Sequence, residues 1–497
     1  MKKLYTLLLI ALCSSSAFAQ LPGPAGEAYY MDYDQFQMDN VRRYLNCGND
    51  ASLNPGSSLT MECWVRIHDS NWNQKIFGKL NPSFNSGYMI AVDQGKCYPE
   101  VWTPGNVNAQ EGFVPPLGHW YHFASTIEAG DSMKVYVNGQ YVGGTGVPGS
   151  TIASNTDDLI IGIAPWDLAN FQYFGHIDEV RIWSIVKSEA DIFAGLHKPL
   201  SGSELGLMAY YDFNAASIAG GAADKSNNSN DCSFIQCDAS NITDSRAVIG
   251  DANLVSMSDV HGLWNGNGFT NPRLALTDNG LGLIDTLIDW DYAVFGHDNG
   301  MGVSSMDLPT GSTASAERTG RVWYVNEVGD LSPIFRFDLD DAAAGGTTLN
   351  TTLNASDYYL CFRSGTSGNF SVIKAADNKN ANTILFNEVD AGSGYYTLVA
   401  SPDMLSNLDD QLGQAQHLSV YPNPGSGNFH FQLATPLLEA AQLKVYNVNG
   451  AVVSRVQFPL GVGTDAEVLD LNALSQGQYF LELRSPHHRF TGRVVVE

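Results

Sequence analysis

Beyond its first dozen residues, the sequence has no apolar run near the roughly 20 residues that a membrane-spanning helix needs. Positive charge is scarce as well. Only 26 Lys and Arg stand against 52 Asp and Glu, a formal net charge of −26. That balance excludes nucleic acid, whose phosphates need a basic footprint, and it disfavours anionic membranes. It suits a soluble extracellular protein with divalent cations among its partners. No C-x-x-C pair and no cluster of His and Cys is present, so the usual zinc-site signature is missing. G-x-S-x-G, H-E-x-x-H and P-loop strings are missing too, which removes the commonest hydrolase, metalloprotease and nucleotide signatures.

What is present begins with an export signal. Lys2 and Lys3 precede the apolar stretch Leu4 to Leu12, and Ala17-Phe18-Ala19 follows as a small-x-small site. This predicts a cleavable secretory signal over 1–19, removed before Gln20. Of seven cysteines, Cys13 falls in that signal, and an oxidising compartment permits disulfides among the rest. Cys232 and Cys237, close together in a polar segment, are the expected pair. Cys47 and Cys63 are a second candidate pair, because spacing does not fix connectivity.

A chain of 497 residues holds several domains. Helical periodicity is scarce. Short runs of Val, Ile, Tyr, Phe and Trp alternate with Gly, Asn, Asp and Pro clusters, the pattern of an all-β protein of sandwiches or barrels. Asn138-Gly139 and Asn449-Gly450 read as two-residue hairpin turns. One helix is expected from Ser188, whose hydroxyl can cap a first turn containing Glu189 and Asp191. Shifts in composition divide the chain into a β-domain at 28–240, a second at 246–400, a polar linker at 401–417 and a small third domain at 418–497.

In the first module, Leu59-Thr-Met-Glu-Cys-Trp-Val-Arg66 is followed by Lys75-Ile-Phe-Gly-Lys79 and Gly118-His-Trp-Tyr-His-Phe-Ala124. Then come Val135-Tyr-Val-Asn-Gly139, Phe174-Gly-His-Ile-Asp-Glu-Val-Arg-Ile-Trp183 and Leu207-Met-Ala-Tyr-Tyr-Asp-Phe213. This ordered set resembles a LamG-like, concanavalin A-type jelly roll, which implies two packed antiparallel sheets. The resemblance further implies a structural calcium held by Asp178, with Asp32 and Asp34 as the matching first-strand acids. Carboxylate and carbonyl oxygens are the ligands that calcium requires. Read as residues, Asp178 also fits a simple turn cap. Trp72, Trp102 and Trp166 sit among Asn, Pro and Asp in loop-like sequence, where aromatic rings either stack on sugars or staple loops down. Trp64 and Trp120 lie in alternating strands and read as core. Asp224-x-Ser226-x-Asn228-x-Asn230 reads as a polar closing loop.

The same fold family includes glucanases, which use two carboxylates on one face. The E-x-D-x-E string of laminarinase-like members is not found, and Glu388-Val-Asp390 lacks a second Glu. The expectation is therefore a non-catalytic binding or adhesion protein that engages a glycan or a surface protein. A glycoside hydrolase with an unrecognised site is the alternative.

The second module is β-rich and carries no motif with an assignable role. His297-Asp298-Asn299-Gly300 reads as a turn. The last eighty residues contain Tyr421-Pro422-Asn423-Pro424, the Asn449-Gly450 hairpin and Gly477-Gln478-Tyr479-Phe480-Leu481. This set resembles the type A sorting domain of the Bacteroidetes type IX secretion system. It implies recognition by an outer-membrane translocon and a location outside the cell or on its surface.

Overall fold

The computed structural model describes residues 26–31, 41–70, 73–103, 107–108, 114, 117–264, 279–285, 291–329, 331–389, 392–402, 416–431, 433, 437, 441–447, 452–458, 467–485 and 489–497. The chain divides into two compact units. The first holds the described residues up to 264 together with 291–296 and 326–331, and the second holds the remainder.

Among the described residues, fifteen strands and one helix carry the first unit's sandwich. In chain order they are β1 (Glu27–Met31), β2 (Tyr44–Asn46), β3 (Ser58–Ile67), β4 (Gln74–Leu80), β5 (Gly87–Asp93), β6 (Lys96–Trp102) and β7 (Val107–Asn108). There follow β8 (Trp120–Glu128), β9 (Ser132–Val137), β10 (Gln140–Gly146), β11 (Ile160–Ile161), β12 (Gly175–Trp183), α1 (Glu189–Gly195), β13 (Leu207–Tyr211), β14 (Ser233–Ile235) and β15 (Ile242–Asp244). One sheet runs β10-β9-β8-β3-β12-β1-β15, with β13 also pairing β12. The other runs β14-β2-β11-β4-β5-β6-β7. Every pairing described in these two sheets is antiparallel.

Alternation builds the core. Leu59, Met61, Cys63, Val65 and Ile67 of β3 join Tyr121, Phe123 and Ile127 of β8. Across the sandwich they meet Ile76 and Phe77 of β4, Ile90 and Val92 of β5, and Cys97 and Val101 of β6. The Asn138-Gly139 turn forms as expected, with φ of 49° and 76°, and joins β9 to β10. Helix α1 also forms where expected. Ser188 caps it, and the Asp191 side chain returns a bond to the Ser188 N–H.

One expectation needs correction. Cys232 is bonded to Cys47, not to Cys237, and Cys63 and Cys237 are free thiols. The cause is register. Ser233 of β14 pairs with Asn46 of β2, which sets Cys232 beside Cys47. Strand β14 then separates Cys232 from Cys237, whose thiol instead contacts the Tyr44 and Ile235 carbonyls. Strand β12 departs from strict alternation. Register slips between Asp178 and Arg181, Glu179 takes φ +52°, and Ile177 and Val180 both reach the core.

In the second unit, Gly394–Ala400 pairs with Glu317–Thr319 and Tyr358–Arg363, and a smaller sheet joins Leu281–Ile284, Ile334–Asp338, Thr383–Phe386 and Asn378–Asn380. Asp298 closes its turn by accepting from Gly300 N–H and Val322 N–H. The same unit contains the C-terminal β-sandwich, with sheets Gln416–His417, Arg489–Val496, Gly477–Arg484, Ala441–Tyr446, Val452–Phe458 and Val420–Tyr421, Asn428–Phe431, Glu467–Asp470. Their inner faces meet through Phe429, Phe431, Leu443, Val445, Leu481, Leu483 and Val494.

Candidate functional site

The outer face of the β4-β5-β6 sheet carries an aromatic cluster. Leu80, Met89, Ala91 and Trp102 form its floor, with Tyr98 and Trp166 packed against them. Trp166 belongs to the loop between β11 and β12. That loop is pinned by Asp167, which accepts from Ala169 N–H at 3.1 Å and Asn170 Nδ2 at 2.9 Å. Phe84, from the β4–β5 turn, sets its ring centroid 5.0 Å from Trp166 and 6.5 Å from Trp102. Phe171 lies 6.1 Å from Trp166 on the other side.

Two of these rings stand on unusual backbone. Phe84 has φ +53° and Phe171 φ +64°. A bulky L-residue in this region costs about 1–2 kcal/mol, so turns normally place Gly or Asn there. Phe84 nevertheless keeps 43% of its surface exposed. Trp102 is 4% exposed, and its indole N–H has no hydrogen-bond partner among the described residues. A buried donor left unpaired is costly and calls for an acceptor.

Lys75 lies beneath the rings. Its ammonium sits 5.9, 5.6 and 6.0 Å from the centroids of Tyr98, Trp166 and Phe171 and donates to Asn73 Oδ1. Burial lowers the Lys75 pKa, against the opposing pull of the Glu100 and Asp93 carboxylates. The cluster thus combines apolar ring faces, an unpaired N–H and a caged cation.

The outer face of the other sheet is occupied differently. Glu62 is fully buried, with Lys187 Nζ 3.0 Å from one oxygen and His122 Nε2 3.3 Å from the other. Burial alone would raise its pKa, but Lys187 and His122 hold it well below the usual carboxylate range. Glu179 is bonded to Arg181 and accepts from the Tyr210 hydroxyl at 2.9 Å. Arg181 also donates to the Gly195 and Lys198 carbonyls around the end of α1. These carboxylates are committed to ion pairs under protein.

Asp178 is buried, and accepts from the Ser245 hydroxyl and from Glu179 N–H. Burial, then the Glu179 charge, pushes its pKa up. Asp32 and Asp34 lie outside the described residues, as does Trp72. No group of three metal-ligating side chains occurs among the described residues. Asp224 instead closes its loop as a protein acceptor, taking bonds from the N–H groups of Tyr210, Ser226 and Asn230.

The structure therefore brings Trp102 and Trp166 together. Trp102 does not stand in a loop; it ends β6 and is buried in the cluster floor. Sequence reasoning missed Phe84, Phe171, Tyr98 and Lys75. Phe84 carried the same signal as Trp166, a lone aromatic in a Pro-Ser-Phe-Asn turn.

In the C-terminal sandwich, the Asn423 side chain spans the last strand. It donates to Arg493 O at 2.6 Å and accepts from Val495 N–H at 3.0 Å. Tyr479 donates to Ser475 O at 2.7 Å, and Gly477 takes φ +158° at the start of its strand. Gly450 lies outside the described residues.

A two-sheet jelly roll with an aromatic rim, followed by a small β-sandwich, defines the class: an all-β modular protein. Comparison with known families names the modules. Residues 39–193 match the concanavalin A-like lectin/glucanases superfamily and residues 419–497 match the secretion system C-terminal sorting domain. The chain thus carries a laminin G-type domain and a sorting domain that marks it for type IX secretion, to the cell surface or the extracellular space. No helix among the described residues is long and apolar enough to cross a membrane.

Solved structures of similar fold include a candidate carbohydrate-binding protein from Bacteroides ovatus, 18% identical over 45% of this chain, with a TM-score of 0.36. This chain spans 61% of that protein's length. Domains LG4-5 of the mouse laminin alpha1 chain are 9% identical over 96% of both chains, with a TM-score of 0.27. Domain 4 of an extracellular arabinanase from Geobacillus stearothermophilus, solved with arabinotriose, is 19% identical over 29% of this chain and 68% of its own, with a TM-score of 0.24. These likenesses concern fold alone. Among curated proteins, none matches the chain.

Proposed function

We propose that the protein is an extracellular binding protein whose jelly roll holds a glycan, free or on a surface protein, at the rim formed by Phe84, Trp102 and Trp166. One observation carries this reading: Phe84 projects an exposed ring from left-handed backbone beside Trp166. Locally strained backbone clusters at binding positions. Aromatic faces suit the C–H faces of sugar rings, and the unpaired Trp102 N–H suits a hydroxyl acceptor. The Glu62 and Glu179 carboxylates, locked in buried ion pairs, leave the rim to hold rather than cut.

A glycan array with the secreted protein, run with and without calcium, tests this. Binding that Trp166→Ala removes is the expected result. A blank array, or binding indifferent to Trp166→Ala, overturns the reading. Release of reducing sugar from a bound glycan would move the protein to the glycosidases.

A further inference from the structure

The loop that presents Trp166 has a second side. Beyond it the surface sinks into a cleft of about 410 Å³, lined by Arg42, Tyr44, Leu168, Ala169, Ile235 and Gln236. That size lies within the range of ligand sites, about 300–1,000 Å³. Three chain segments meet there. The Arg42 Nε donates to Ala169 O at 2.5 Å, and the Arg42 backbone N–H donates to Gln236 Oε1 at 3.3 Å. Arg42 is therefore held in place before any ligand arrives. Tyr44 lies on β2 and Ile235 on β14, so both are fixed by the sheet.

Leu168, which walls the cleft, is two residues from Trp166, and extended chain covers at most about 3.6 Å per residue. The aromatic rim and the cleft are thus separated by no more than roughly 7 Å of backbone. They differ in chemistry. The rim offers ring faces. The cleft offers a guanidinium, a phenol and a primary amide, a set of donors and acceptors matched to ring hydroxyls. Leu168 is 40% exposed on the crest between them.

We propose that the cleft is a second sugar subsite, and that the ligand is an extended oligosaccharide lying across the Trp166 loop rather than a single terminal sugar. This rests on the rim binding a glycan. One unit stacks on Trp166 and Phe84, the chain crosses Leu168, and a later unit bonds to Arg42, Tyr44 and Gln236.

The test is calorimetric titration of the full-length protein with manno-, xylo- and cello-oligosaccharides of graded length, from disaccharide to hexasaccharide. Affinity should rise at least roughly tenfold with length for the series that binds. Arg42→Ala should erase that rise. Because Arg42 also holds Ala169, Gln236→Gly serves as a second variant. It removes the side chain at a backbone φ of +55°, which glycine adopts freely. It should lower affinity for the longer sugars only. Trp166→Ala should weaken every length. Affinity that does not change with length, or loss in Gln236→Gly that is equal at all lengths, overturns the cleft subsite and leaves the rim intact. Binding at no length, or binding indifferent to Trp166→Ala, removes the rim reading and the subsite together.

Discussion

Lys187 Nζ lies 3.0 Å from the Glu62 carboxylate, closing a buried charge against a strand whose other face lines the hydrophobic core. Glu62 has no exposed surface. Removing the ammonium leaves the buried anion with His122 alone beside it, so Lys187→Met should destabilise the first unit by about 3–5 kcal/mol. Glu62→Gln added to it should recover most of that loss. Scanning calorimetry of the two variants and their combination checks this. The pH dependence follows from the sign of the shift. The Glu62 pKa is held low, so its contribution is complete above the unfolded carboxylate value of about 4.3 and is lost as pH falls through the folded value. Glu62→Gln should flatten the acid side of the stability profile below about pH 4.3.

The Cys47–Cys232 bond closes a loop of 185 residues. Chain-entropy arguments give such a loop a contribution of up to about 5 kcal/mol. Cys47→Ser should therefore lower the first transition by several degrees, and reductant should do the same to the native protein. Peptide mapping without reduction should recover Cys47 linked to Cys232. Cys237 should be alkylated slowly at neutral pH, since burial pushes its thiol up to about 11.

These features separate what local sequence conveys from what it does not. The Asn138-Gly139 hairpin and the Ser188 cap are local, and both are legible because the turn and cap chemistry is complete within a few residues. Trp166 was legible as a lone aromatic between Pro165 and Asp167. Trp102 was not, because Pro99 and Pro104 flank it and suggest a loop, whereas Pro99 sits inside β6 opposite Ile90. The disulfide depends on the register of β14 against β2, a pairing across nearly two hundred residues that no local pattern encodes. The Asp178–Glu179 bulge was hidden for a similar reason. Alternation assigns these residues to opposite faces, and only the paired strand reveals the slipped register.

Phe84→Gly separates stability from binding. Glycine relieves the left-handed backbone, worth about 1–2 kcal/mol, and forfeits about 0.5–1 kcal/mol through greater freedom of the unfolded chain. The ring is largely outside the core, with its contacts to Trp166 and Trp102 as the remaining loss. The terms nearly cancel, so unfolding should shift by less than about 1 kcal/mol. Affinity for the glycan found on the array should fall at least roughly tenfold. A variant that loses stability but keeps affinity would show that Phe84 merely staples its turn.

Asn423 ties the Tyr-Pro-Asn-Pro segment to the last strand through two hydrogen bonds, to Arg493 O and from Val495 N–H. Gly425 continues the same seam, donating to Val495 O and accepting from Glu497 N–H. The motif thus fastens the edge of the strand Arg489–Val496. Asn423→Ala breaks both side-chain bonds and should cost the C-terminal sandwich about 1–2 kcal/mol. Asn423→Asp keeps the acceptor and loses the donor, so it should fall between. If export reads this folded edge, secretion should follow the same order, wild type above Asp above Ala. Deleting residues 418–497 should leave the protein in the periplasm, detected by fractionation and immunoblot. Secretion unaffected by Asn423→Ala, with the sandwich shown by calorimetry to be destabilised, would mean that the translocon reads a different part of the domain.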